Sequence, residues 1–131
     1  MYAARQSSQH RRGDRYVEAA SLAADCGNKL GDIISGAEAL RPQWHSILNA
    51  RGMYHSSFRE QTDRALDLII QDANSLRPRT AELNSNIRKL SNSRLDERLV
   101  ELTSLKLAVD GVNERLAESK AKCKESQENF R

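Results

Sequence analysis

Apolar residues recur along this chain at alternating steps of three and four, the spacing that keeps one face of an α-helix against a neighbour. Tyr16, Ala19, Ala23, Cys26, Leu30, Ile33, Ala37 and Leu40 form an unbroken seam of this kind. The same spacing returns in Leu102, Leu105, Val109, Val112 and Leu116, then decays into Ser119, Cys123, Ser126 and Phe130. A straight helix drifts relative to a seven-residue repeat, so keeping the first seam in contact over its length implies a gentle left-handed supercoil with a partner helix. Small Ala and Cys side chains on the seam permit close approach. Between the two seams, Phe58, Ala65, Ile69 and Leu76 make one stripe, and Leu83, Ile87 and Leu90 resume beyond Pro78. That middle face is broad enough to touch two neighbours.

Two punctuation signals separate these patterns. Gly52 is followed by Ser57-x-x-Glu60, and the Ser91-Asn92-Ser93 cluster opens Ser93-x-x-Asp96. Each serine–acid pair is a capping box, in which the serine accepts from an orphan amide and the acid reaches back to the cap. The expected architecture is an all-α, elongated helical bundle or coiled coil of about three long helices, near residues 14–51, 58–90 and 94–130. Each would span roughly 50 Å at 1.5 Å per residue. Pro42 and Pro78 fall inside two of them. A proline removes one ladder hydrogen bond and clashes with the preceding turn, so kinks or breaks are expected there, with five shorter segments as the alternative.

Residues 1–13 carry Arg5, Arg11 and Arg12 among Ser, Gln and His and no periodic apolar residue, and they end at Gly13. They read as a mobile basic arm, leaving 14–131 as a single elongated helical unit.

Composition narrows the class. Leu and Ala together number 30 against 7 for Val and Thr, so the apolar residues are helix formers rather than strand formers. Aromatics make up 5% and charged residues 30%, which suits a long narrow core better than a compact one with aromatic anchors. Residues 1–9 lack the apolar stretch of a signal peptide. The longest strictly aliphatic run, Leu68-Ile69-Ile70, is far below a membrane span. A cytoplasmic protein with reduced thiols at Cys26 and Cys123 is the expectation. A net charge of +3 does not by itself argue for nucleic acid.

Candidate chemistry is sparse. His10, His45 and His55 show no metal-ligand spacing, and no nucleophile elbow, phosphate-cradling glycine loop or dinucleotide fingerprint occurs. No catalytic residue, metal or cofactor is expected. Trp44, the one tryptophan, reads as a core plug near Pro42 or else as a partner anchor. Arg12-Gly13-Asp14 spells an integrin-recognition tripeptide, but Gly13 as a breaker with Asp14 as an N-cap fits a cytoplasmic chain better. Arg5, Arg11, Arg12 and Arg15 are candidate contacts to an anionic surface, as is the cluster of Arg88, Lys89, Arg94 and Arg98.

Leu30-Gly31-Asp32-Ile33, with Ser35 and Arg41-Pro42, resembles the early helix of the Muted family. Its members are small coiled-coil subunits of the complex that builds lysosome-related organelles. Arg77-Pro78-Arg79 lies where a second proline of that pattern would be sought, and the resemblance covers residues 30–42 closely and a longer stretch loosely. It implies a cytosolic subunit of an elongated hetero-oligomer acting in endosomal sorting, with other helical coiled-coil proteins as partners and peripheral contact with endosomal membranes. It carries over no catalytic residues. From the seams alone, kinetochore, tethering and cytoskeletal complexes share this grammar. A basic helical module binding membrane or nucleic acid is the reading from another class. Leu95-Asp96 and Val109-Asp110-Gly111-Val112 are similar to parts of a BAG domain, which implies as a third reading a self-contained three-helix bundle of the co-chaperone type.

Overall fold

A computed structural model describes the backbone of residues 2–129 and the side chains of residues 13–129. Among these it contains three α-helices and no strand: α1 (Tyr2–Ala50), α2 (Ser57–Asn84) and α3 (Asn92–Asn129), with one 3₁₀ turn at Ile87–Lys89. The chain runs up, down and up. Arg41 meets Asp63, Arg79 meets Glu101, and Lys29 meets Asp110, so α2 is antiparallel to its neighbours and α1 is parallel to α3. α1 runs from Tyr2 unbroken through Gly13, so Gly13 does not break the helix and Asp14 is not its N-cap as expected. The side chains of Arg5, Arg11 and Arg12, in the stretch expected to be a mobile basic arm, lie outside the described ones.

The two reversals come from local chemistry. At the end of α1, Gly52 adopts a left-handed φ of 72°, which costs glycine nothing. Its amide bonds Asn49 O at 3.0 Å, and the Met53 amide bonds Leu48 O at 2.8 Å. This crossed pair is a Schellman cap. The N-cap of α2 is Ser56, whose Oγ accepts from the Arg59 amide at 3.1 Å. The expected capping box at Ser57 and Glu60 is therefore one residue out of place. At the second reversal α2 stops at Asn84, short of the expected 90, because Ser85 turns extended and Asn86 takes a left-handed φ of 58°. Ser91 rather than Ser93 caps α3: its Oγ accepts from the Arg94 amide at 3.4 Å, and its carbonyl accepts from the Leu95 amide at 2.8 Å.

Neither proline breaks its helix; α1 continues through Pro42 and α2 through Pro78. The five-segment alternative does not occur. Both prolines are exposed, as are Glu38 and Asn74, whose carbonyls lose their partners, so water can take the place of the missing amide.

The core is a narrow column of three seams. In α1 it runs from Ala19 through Leu40 and on to Trp44 and Ile47, and in α3 from Leu95 through Leu116 to Cys123. The seam of α2 is Thr62, Leu66, Ile69, Ala73, Leu76, Thr80 and Leu83, an unbroken heptad that includes two threonines. Phe58 and Ala65, expected on the buried stripe, are exposed instead. Each threonine hides its hydroxyl by donating one turn back, Thr62 to Phe58 O at 2.9 Å and Thr80 to Leu76 O at 2.8 Å, and offers its methyl to the core. Ion pairs between helices flank the column: Arg15–Asp96, Lys29–Asp110, Arg41 with Asp63 and Asp67, Arg79–Glu101 and Arg115–Asp72. Being partly exposed and screened by water, each adds little to stability by itself and serves mainly to fix the register of the helices.

Candidate interaction surfaces

The sequence-predicted seam is interior. Ala19, Ala23, Cys26, Leu30, Ile33, Ala37 and Leu40 are all buried, and Tyr16 is half-buried, its hydroxyl accepting from Arg88 Nε at 2.9 Å. Leu102, Leu105, Val109, Val112 and Leu116 are buried as well. The helices that cover them belong to the same chain. These residues therefore form the core, and any surface for another molecule must lie on the outer faces. Both thiols share that interior. Burial raises the Cys26 thiol above its ordinary value, with Asp110 adding to the effect, and burial alone raises Cys123. Neither is poised as a thiolate.

At the α1–α2 end, Trp44 is buried and its indole N–H donates to Ser119 Oγ at 3.1 Å. It is the core plug of the two roles expected for it. Phe58 stands edge-on to it, with ring centroids 5.9 Å apart at 77°. Beside this pair an open groove of about 350 Å³ runs between α2 and α3, floored by Trp44, Ala65 and Ile69 and flanked by Phe58 and Leu68. Phe58 and Leu68 remain 43% and 44% exposed, and Arg115, Glu118 and Lys122 form the α3 wall. Periodicity alone misplaced Phe58. The signal that could have placed it was Thr62 and Thr80 sharing a heptad register with Leu66 and Leu83.

Two further large apolar side chains, Val100 and Leu107, stand 71% and 69% exposed on α3. One heptad separates them, so they share the outer face of that helix.

The expected cations whose side chains are described, Arg15, Arg88, Lys89, Arg94 and Arg98, lie at the opposite end, and Arg15, Arg88 and Arg98 are engaged. Arg15 pairs with Asp96 at 3.0 Å. Arg98 donates to Leu83 O at 2.6 Å and Ser85 O at 3.1 Å, closing the C-terminus of α2. Arg88 holds Tyr16, while Lys89 and Arg94 are exposed. His45 Nε2 lies 2.7 Å from Asp63 Oδ1, on which Arg41 also converges. Among the described residues no three His, Cys, Asp or Glu side chains group as metal ligands, and no helix is long and apolar enough to cross a membrane. No protein-family model, curated protein or solved structure matches the chain.

Proposed function

We propose that this chain is a non-catalytic structural subunit that enters a hetero-oligomeric helical assembly as a folded three-helix bundle, docking a partner helix on its outer face. One observation carries the reading. After all three seams are buried, the groove beside Trp44 still presents Phe58 and Leu68 about half exposed, in a row an amphipathic helix could cover. Arg115 and Lys122 on the α3 wall would suit acidic residues flanking that helix's apolar stripe. The setting in endosomal sorting and the biogenesis of lysosome-related organelles rests on the resemblance of residues 30–42 to the Muted family.

The test is affinity purification of the tagged chain from its native cells, followed by reconstitution with each purified partner. The double variant Phe58→Asp/Leu68→Asp should lose the partner while keeping the helical circular dichroism of the parent. A control pair on the side of α2 away from the groove, Asn74→Asp/Arg77→Asp, both exposed, should retain it. Equal binding by both pairs would refute the groove as the docking site. Binding that collapses between low and high salt, and that is lost in Lys89→Ala/Arg94→Ala, would replace this reading with that of a basic module for an anionic surface.

A further inference from the structure

Arginine stands three residues before a serine or threonine at four places in the sequence, Ser8, Thr62, Thr80 and Ser91. Ser8 lies outside the described side chains. Thr62 and Thr80 lie inside α2, 8% and 7% exposed, each hydroxyl donating to its own helix. Ser91 differs in every respect. It is exposed and follows the irregular stretch that joins α2 to α3, where Leu90 is extended at φ −77° and ψ 140°. Its Oγ makes two long contacts, 3.4 Å to the Arg94 amide and 3.4 Å to Ser93 Oγ. Arg88 and Lys89 before it are exposed, the Arg88 guanidinium resting on Tyr16 at the surface.

We propose that Ser91 is a phosphorylation site for a serine kinase that selects arginine three residues before its target. Such an enzyme needs a hydroxyl on a segment that can lie extended in its cleft, and cations at fixed distances before it to meet acidic residues there. Residues 88–91 supply the cations and the exposed hydroxyl. Arg88 and Lys89 sit in the 3₁₀ turn that the buried Leu90 follows, so this one short turn must open for the segment to lie extended in the kinase. In the step itself the γ-phosphoryl group of a nucleoside triphosphate passes to Ser91 Oγ. The new Oγ–P bond forms as the bond from the γ-phosphorus to the bridging oxygen breaks. The nucleoside diphosphate leaves with that electron pair, and the hydroxyl proton goes to the kinase's carboxylate base. The product places a dianion at the N-cap of the 38-residue helix α3, beside Arg88, Lys89 and Arg94. Charge at that position meets the free amides and positive end of the helix, so the modification tightens the α2–α3 turn.

The full chain would be incubated with the catalytic subunit of cyclic-AMP-dependent protein kinase and magnesium ATP, and the peptide carrying Ser91 followed by mass spectrometry. One phosphoryl increment is expected on that peptide. It should be absent from Ser91→Ala, much slower to appear in Arg88→Ala and unchanged in Thr80→Val, with all three variants first shown to be folded by circular dichroism. The phosphorylated chain should melt at a higher temperature than the unmodified one. A Ser91 peptide left unmodified, or one labelled equally fast in Arg88→Ala, would overturn the assignment, and a lower melting temperature would overturn its structural consequence.

Discussion

Replacing Leu30 by alanine, beside the same change at Leu107, separates burial from chemistry within one residue type. Leu30 is fully buried at the middle of the three-seam column, whereas Leu107 is 69% exposed on the outer face of α3. Removing the Leu30 side chain beyond Cβ forfeits its transfer free energy and leaves a void that rigid helices fill only in part, costing about 2–5 kcal/mol. A column one seam deep on each helix can relax inward, so we expect about 3 kcal/mol, a fall of roughly 10 °C in melting temperature for a domain of this size. Leu107→Ala should stay within about 0.5 kcal/mol of the parent. Urea unfolding followed by circular dichroism measures both. It should be run at two protein concentrations a hundredfold apart, because a seam buried inside one chain gives a midpoint independent of concentration. A seam shared between two chains would instead add about 1.4 kcal/mol for each tenfold increase. A midpoint that climbs with concentration, or equal losses for the two leucines, would refute the intramolecular core.

Three further outcomes follow from particular contacts. Lys29 holds the Asp110 carboxylate below its ordinary value of 3.8, and Asp110 holds the Lys29 ammonium above its ordinary 10.5. Any stability the pair confers over Asp110→Asn is therefore full between those values. It fades as pH falls through the folded-state value of Asp110 or rises through that of Lys29, and a difference unchanged down to pH of about 2 would show the pair to be silent. Arg98→Ala strips the partners from Leu83 O and Ser85 O and should cost about 1–2 kcal/mol, with hydrogen exchange accelerated at the end of α2 before the rest of the bundle. Pro78→Ala should stabilise the chain by about 1–2 kcal/mol in urea, because it restores an amide for Asn74 O on a face already wet. That gain would be partly offset by the freer unfolded chain.

The helical class and the seams of α1 and α3 were legible in the sequence because their positions from Ala19 to Leu40 and from Leu102 to Leu116 are apolar without exception. Gly52 announced its own reversal, since few residues tolerate the left-handed backbone that a Schellman cap requires. The seam of α2 was not legible. Two of its seven members are threonines whose hydroxyls disappear into helical carbonyls, while Phe58 and Ala65 outside it look like core residues. Nor could the sequence show that α2 stops at Asn84. Ile87 and Leu90 stay in the buried column on a backbone that is no longer α-helical, so hydrophobic spacing ran on past the end of the helix. Tertiary structure alone decided what covers the α1 seam. Periodicity specifies that a face must be buried and is silent about whose helix buries it. That choice belongs to the two short reversals, which fold α2 and α3 back along α1 and turn a face legible as an interface into a core. The groove beside Trp44 exists for the same reason: three round helices meeting along one axis leave furrows between them, and where a furrow is lined by Phe58 and Leu68 can be read only once the helices are in register.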